Sequence, residues 1–595
     1  MKKLMLGNEA IAAGAWQAGV EVAVGYPGTP STEILERLSG YDGVYTEWSV
    51  NEKVAMDVAI GASLGGVRTL VTMKAPGLNV AADAFFPICQ MGVNGGLVLV
   101  CSDDVGALSS PTEQDTRVYA KLCHVPMLEP SDSEEASAFT ALAYELSERF
   151  DTPVFLRTTN GVSHSMGLLE IGARQTAKKP PFEKTSPKFR PQGGLHPTVF
   201  HENAHRRLES VEAFAETASV NRIEWGDRRI GFVAAGSPYS YLKEVCPEAS
   251  FLKLGMTYPV PGQLLREFAA GVEALYVIED LEPFLEEELA AKGVRARGRE
   301  LRRLAGPLSV ESLRESLADV LDLFGERRPA PRAPLPDVPP RFPTLCAGCP
   351  HLALYYAIRR AGKGQDVVIM GDIGCYSLGI APPHNMLSCA FAMGTSVGSA
   401  HGLARAAGGT PGRPIVAYLG DSTFLHAGMP AVLNAVHNGS NITVVIADNR
   451  ITAMTGGQEN ALTGKTLSGD SRPPVRLPEI VKALGVRDLY EVDPFDNRAT
   501  VDALKSAFAF DGVSVVIGSQ ACRVYPERLQ GPAYRVHSDR CTGCGNCLDI
   551  HCPAIVSSGE RTEKGRVKPA IDAFLCGGCS FCAGICPADA IGLED

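Results

Sequence analysis

The 595 residues contain no apolar run that approaches the roughly 20 needed for a membrane-spanning helix. A partner membrane is therefore not expected. Excess positive charge is also missing: 56 Lys and Arg stand against 67 Asp and Glu, for a formal charge of −11. That balance argues against a nucleic-acid partner. The opening residues, Met1-Lys2-Lys3-Leu4-Met5-Leu6-Gly7-Asn8-Glu9, turn polar too early for a secretory signal. Tandem repeats at solenoid periods are absent. What remains is an ordinary globular composition, 45% hydrophobic and 21% charged. At about 150 residues per domain the length suggests roughly four domains, enough to bury several cores.

Cysteine, by contrast, is plentiful and clustered. Eight of the 17 cysteines fall between Cys541 and Cys586. They form two C-x2-C-x2-C runs, each followed by a Cys-Pro, which resembles the pattern of bacterial two-cluster ferredoxins. In that pattern the fourth cysteine of each run ligates the other cluster. Cys541, Cys544, Cys547 and Cys586 are expected to hold one [4Fe-4S] cluster. Cys576, Cys579, Cys582 and Cys552 are expected to hold the second. Four residues separate Cys547 from Cys552 where three are usual, a one-residue loop insertion. A pair of structural zinc sites is the competing reading, and the Cys-Pro endings speak against it. Thiols at ligand spacing without a secretory signal fit a reducing cytoplasm.

Along the chain, apolar strand-like runs alternate with helical patterns. Glu21 to Pro27, Thr69 to Lys74 and Leu97 to Cys101 read as strands, and Asn51 to Gly66 as a helix. The alternation implies parallel sheets flanked by helices, an α/β fold. Residues 1–176 form a first α/β domain on this reading. A Lys- and Pro-rich stretch, about 177 to 197, is a linker or surface excursion. The pattern resumes with Ile230 to Gly236 and Ala274 to Glu279, so 198–328 reads as a second α/β domain. Residues 329 to 343 carry seven prolines and mark a semi-rigid linker. Residues 344–526 form a third α/β domain, with strands at Asp366 to Met370, Pro414 to Leu419 and Ile442 to Ala447. Residues 533–595 form a C-terminal α+β ferredoxin-like domain.

Two of those strands end on chemistry. Gly420-Asp421-Ser422 closes one, and Asp448-Asn449 closes the next, with 25 residues between Ser422 and Asp448. The pair resembles the Gly-Asp-Gly…Asn-Asn signature of thiamine diphosphate enzymes, with Ser422 and Asp448 as departures. Adjacent strand ends would bring the Asp421 carboxylate and the Asn449 amide oxygen to one Mg²⁺. The carbonyl of Ile451 would add a third oxygen, and a diphosphate would complete an all-oxygen shell. Gly420 lets backbone approach the phosphates. Such an enzyme also needs a carboxylate at N1′ of the aminopyrimidine. Glu52, opening a helix after a strand, is the candidate, and Glu47 its rival. His426, just after Gly-Asp-Ser, is the histidine best placed to face the site.

A further cysteine set lies in the third domain. Cys346 and Cys349 form a C-x2-C, followed by Cys375 and the distant Cys522. They could hold a third [4Fe-4S] near the thiamine site, where electrons need an acceptor. Buried thiols are the plain alternative. Cys89, Cys101, Cys123, Cys246 and Cys389 lack such spacing and read as core.

Taken together, the domain order resembles that of the α subunits of indolepyruvate:ferredoxin oxidoreductases, over essentially the whole chain. The segments that carry the resemblance are Gly420 to Pro430 with Asn434 to Asn438, Asp448 to Gln458, Cys349-Pro350-His351, and Gly25 to Ser31. The resemblance implies aminopyrimidine-binding, middle, diphosphate-binding and ferredoxin-like domains in that order. It implies oxidative decarboxylation of an aryl 2-oxoacid with coenzyme A to acyl-CoA and CO₂. Electrons would pass singly through the iron–sulfur clusters to external ferredoxin. The partners implied are a smaller β subunit, in a dimer of heterodimers, and ferredoxin. By the same resemblance Thr29 faces substrate, and Lys74, Gln114 and Arg117 border its pocket. Arg117 could pair a substrate carboxylate, or be an ordinary surface arginine. Ala75-Pro76 stand where His-Val is expected, which leaves the exact 2-oxoacid open. An oxidoreductase for another 2-oxoacid, such as pyruvate or a branched-chain acid, is the second reading. An electron-carrier subunit with a vestigial thiamine site is the third reading, and intact Asp421, Asn449 and Glu52 argue against it.

Overall fold

A computed structural model describes residues 2–177, 179–183, 186–190, 196–301, 306–322, 343–406, 413–525 and 530–593. Except for Pro343, the expected proline-rich linker lies outside the described residues. Contacts divide the chain into two compact units, Met1–Pro336 and Asp337–Asp595.

The first unit is built on a seven-stranded sheet. Its order is Met256–Tyr258, Met127–Leu128, Val154–Thr159, Leu97–Asp103, Thr69–Lys74, Val22–Gly25 and Tyr45–Trp48. All neighbours pair in parallel except the first two, which run antiparallel. The central strands are apolar on both faces because helices cover both, as parallel sheets require. Leu97, Val98, Leu99, Val100 and Cys101 are all fully buried. A second sheet runs Ala274–Ile278, Asp227–Ala234, Ala249–Lys253 and Arg222–Glu224, with only the last pair antiparallel. The two sheets are not independent. Met256–Tyr258 leaves the second and joins the edge of the first, and one core runs through both, from Val71 and Leu99 to Val233 and Leu252.

A buried charge network ties these sheets as well. Arg157, fully buried, pairs with Asp103 at 2.8 Å and with Glu129. Arg117 pairs with Asp115 at 2.5 Å and Glu279 at 2.6 Å, and donates to the carbonyls of Asp280 and Glu282. Removing one member of such a set leaves a buried charge unpaired, at a cost of about 3–5 kcal/mol.

The second unit holds an all-parallel six-stranded sheet, in the order Cys389–Ala390, Val368–Gly371, Ile415–Gly420, Ile442–Asp448, Val513–Ser519 and Asp488–Val492. Helix Pro350–Ala361 crosses one face. Its buried residues, among them Leu352, Tyr355 and Tyr356, share a core with Phe581, Ile585 and Ile550 from the cysteine-rich tail. The tail itself has little regular structure: an antiparallel hairpin of Ile555–Arg561 with Val567–Ile571, and a two-residue pairing of Arg535–Val536 with Ile591–Gly592. Among the described residues no helix is long and apolar enough to cross a membrane.

Candidate functional site

In the second unit the polar residues gather at the carboxyl ends of the parallel strands, where open α/β sheets bind ligands. Gly420 ends one strand and Asp421 begins a short helix, which passes through a π-helical turn at Phe424–Gly428 carrying the buried His426. Asp421 is 2% exposed. Its Oδ1 accepts the Ser422 amide at 2.7 Å, while Oδ2 is buried without a hydrogen-bond partner. Burial and then the Asp448 carboxylate push Asp421 well above the usual carboxylate range. A buried, unpartnered carboxylate oxygen beside a second carboxylate is what a hard cation neutralises.

Asp448 is held by Ser519 Oγ at 2.8 Å and by the Arg450 amide. Asn449 is buried, and its Oδ1 accepts the Ile451 amide at 3.1 Å. Ser422 Oγ bonds Thr452 Oγ1 at 2.9 Å and accepts from Asn460 at 3.1 Å, tying the two strand ends to the loop that follows. The departure from glycine at 422 thus gains a structural use. At Gly420 a Cβ would stand 3.1 Å from the Tyr376 ring.

A second Gly-Asp strand end, Gly371-Asp372, lies beside the first. It escaped the sequence reading, although the same pattern could have flagged it. Asp372 is fully buried and accepts Ser396 Oγ at 2.6 Å, the Gly394 amide at 3.1 Å and the Tyr376 hydroxyl. Burial outweighs these bonds and pushes its pKa up to about 6. The folded value exceeds the unfolded one, so the native state binds this proton more tightly. The stability it contributes is complete below about pH 4 and is lost as pH rises to about 6, by at most about 3 kcal/mol. Melting the chain across that range is expected to show this slope, and Asp372→Asn to remove it. An unchanged slope in the variant assigns it elsewhere.

The four cysteines of the third-domain set are near neighbours. Burial raises Cys349 well above the ordinary thiol range, and Cys375, Cys522 and Cys346 add to the rise. Burial, then Cys522 and Cys346, push Cys375 up to about 12. Cys522 also feels Asp421, and its amide donates to the Asn449 carbonyl at 3.1 Å. This set therefore adjoins the Asp421 site directly.

The tail cysteines sort into two further groups. Burial and then Cys544, with Cys541 and Cys586, push Cys547 up to about 11. Burial, then Cys579, Cys552 and Cys576, push Cys582 up to about 12. The crossed grouping is the one that the spacing implies, with Cys586 and Cys552 each folding onto the other run. Among the described residues no three His, Cys, Asp or Glu groups are arranged round a single metal ion.

In the first unit Glu52 is the first residue of helix Glu52–Leu64, capped by Asn51, whose side chain accepts the Val54 amide at 2.9 Å. It is 6% exposed. Glu47 instead accepts Tyr45 Oη at 2.6 Å and Ser49 Oγ at 2.7 Å. Burial lowers the pKa of Lys74, against the pull of Asp104 and Glu52. Its Nζ donates to Ser109 O at 3.1 Å, and its methylenes pack on Gly28. Thr29 presents its carbonyl to Ser109 Oγ at 3.2 Å. Thus Gly28, Thr29, Lys74 and Glu52 fall together, at the carboxyl ends of strands Val22–Gly25 and Thr69–Lys74. Gln114 is occupied by Asn79 and Thr112. Arg117 corrects the expectation. It is neither on the surface nor available to a substrate, because its guanidinium is consumed by the network described above.

Residues 372–517 match the family model for the thiamine pyrophosphate enzyme, C-terminal TPP binding domain. Residues 13–218 match that for pyruvate flavodoxin/ferredoxin oxidoreductase, thiamine diphosphate-binding. Both halves together define a thiamine diphosphate-dependent 2-oxoacid oxidoreductase. Indolepyruvate oxidoreductase subunit IorA of Thermococcus kodakarensis is 39% identical over 99% of this chain and 96% of its own. The IorA of Methanothermobacter thermautotrophicus is 39% identical over 99% and 97%, and that of Archaeoglobus fulgidus 37% over 99% and 97%. The chain belongs to the indolepyruvate oxidoreductase subunit IorA family.

Proposed function

We propose that this chain is the cofactor-bearing subunit of a cytoplasmic enzyme that oxidatively decarboxylates aryl 2-oxoacids of the indolepyruvate and phenylpyruvate type. The products are acyl-CoA and CO₂, and the electrons go to ferredoxin. A smaller β subunit completes it, in a dimer of heterodimers. The observation that carries the reading is the adjacency of the Cys346, Cys349, Cys375 and Cys522 thiols to the buried Asp421 carboxylate at the carboxyl ends of the parallel strands.

When bound, thiamine diphosphate supplies the electron sink that decarboxylation needs. Asp421, Asn449 and the Ile451 carbonyl offer hard oxygens to Mg²⁺, and Gly420 and Ser422 border the diphosphate. Glu52 holds a proton at the pyrimidine N1′. Thr29 and Lys74 orient the substrate. The thiolates would hold three [4Fe-4S] clusters, one on Cys346, Cys349, Cys375 and Cys522, and two in the ferredoxin-like tail, on the crossed sets described above; such clusters would supply one-electron acceptors. The donor sets fit that load. Burial raises the Cys349, Cys552 and Cys579 thiols, and backbone hydrogen bonds from His351, from Ala554 and Gly348, and from Phe581 pull them back towards the thiolate.

The test is anaerobic co-purification with the partner subunit, followed by a 2-oxoacid panel with CoA and a viologen acceptor. Indolepyruvate and phenylpyruvate are expected to turn over faster than pyruvate. Equal or slower turnover overturns the aryl assignment and favours a pyruvate or branched-chain acid. Protein that carries iron but binds neither thiamine diphosphate nor Mg²⁺ would make it an electron carrier.

A further inference from the structure

Two Cys-x-x-Cys loops meet inside the second unit. One is Cys346-Ala347-Gly348-Cys349 and the other Cys576-Gly577-Gly578-Cys579. Gly348 is at φ +74°, and a Cβ there would lie 3.6 Å from the Cys579 Sγ. Burial raises the Cys552 thiol, and a backbone hydrogen bond from Gly348 opposes the rise. A cavity is lined by residues of both sets, including Cys349, Cys552, Cys576, Cys579 and Cys582. The Cys541, Cys544, Cys547 and Cys586 group neighbours this assembly, since Cys547 adds to the rise that burial causes in Cys582. The set nearest Asp421 therefore faces the Cys552, Cys576, Cys579 and Cys582 set, with the other tail set beyond it.

A cationic side chain enters this junction. Arg523 follows Cys522, and its Nη1 donates to the Gly577 carbonyl at 3.4 Å. A Cβ on Gly577 would stand 2.0 Å from Nη2, so a side chain there would displace the guanidinium from this spot. A Cβ on Gly348 would meet its Cδ at 3.4 Å. The side chain is half-buried, so its charge is screened less than on an open surface. It thus spans from one ligand set to the backbone between two ligands of the next.

We infer that Arg523 is a positioning residue that holds these two cysteine sets together and sets the reduction potential of the cluster on Cys552, Cys576, Cys579 and Cys582. A cluster gains one negative charge on reduction. A fixed guanidinium beside it favours the reduced form and raises its potential, since net charge and hydrogen bonding tune such potentials. The inference rests on the iron–sulfur reading above.

The experiment uses the full-length chain with its partner subunit, purified anaerobically as wild type, Arg523→Gln and Arg523→Lys. Iron and acid-labile sulfide are counted, and the clusters are titrated with reductant under EPR. The expected result is equal iron in all three. One cluster signal in Arg523→Gln should be harder to reduce by about tenfold, about 59 mV for a one-electron couple, with Arg523→Lys restoring most of the shift. Superimposed titrations at equal iron overturn the proposal. Iron lost in both variants also overturns it, since the role is then assembly alone. An iron-free wild type sinks the cluster reading itself, and the proposal with it.

Discussion

Glu52→Gln is expected to lower turnover by about 10²–10⁴-fold while leaving iron content and melting temperature near wild type. The substitution keeps shape and burial but removes the group that can take up and return a proton. Asn51, which caps the helix, is untouched. Of the two acids near this strand end, Glu52 is the one so placed. Glu47 spends both oxygens on Tyr45 and Ser49, so Glu47→Gln should cost under tenfold. A second variant separates position from chemistry. A Cβ on Gly77 would stand 2.7 Å from Glu52 Oε1 and 2.8 Å from its Cγ. Gly77→Ala must therefore move the carboxylate without deleting it, and should slow turnover in the same direction. Wild-type turnover in Glu52→Gln would assign the proton to Glu47. A large loss in Gly77→Ala with a normal Glu52→Gln would mean that packing, not proton transfer, matters there.

The parallel strands were legible because each ends on a visible change of chemistry. Thr69–Lys74 matches its sequence reading, and Ile442–Asp448 exceeds its reading by one residue. Gly420-Asp421 and Asp448-Asn449 could be read as neighbours because consecutive strands of a parallel sheet usually lie side by side. What the reading could not reach has other causes. Met256–Tyr258 is three residues long, too short for any periodicity, yet it stitches the second sheet to the first. Helix Pro197–Ala215 buries only Phe200, Ala204, Val211 and Ala215, a stripe too thin to stand out among charges. Arg117 looked like a surface residue because its partners Glu279, Asp280 and Glu282 lie over 160 residues away. Arg523 and Gly577 are separated by 54 residues, and nothing local marks either one. The tail runs and the Cys346–Cys349 pair were legible for the opposite reason, since their spacing is local; Cys375 and Cys522 join that pair only through the fold.

Asp421→Asn is expected to abolish cofactor loading and turnover while making the ligand-free chain more stable, by about 1–3 kcal/mol. The reasoning starts from the ligand-free state. Asp421 Oδ2 is buried without a partner and faces Asp448. Without a cation, one of the pair must carry a proton or bear the repulsion, and either costs stability. Asparagine removes one charge at nearly constant volume, so the cost falls. In the loaded state the sign reverses. A ligand at 100 times its dissociation constant stabilises a protein by about 2.7 kcal/mol, and the variant, lacking the carboxylate, should gain almost none of it. Melting curves with and without thiamine diphosphate and Mg²⁺ read both effects, at about 2–4 °C per kcal/mol for a unit of this size. Because the cation displaces a proton that burial holds on Asp421, loading should also strengthen as pH rises. Two results would count against this account. A wild-type melting shift in Asp421→Asn would mean that the cation is held elsewhere. A less stable ligand-free variant would mean that the carboxylate was already satisfied, and the strand ends would then be structural turns.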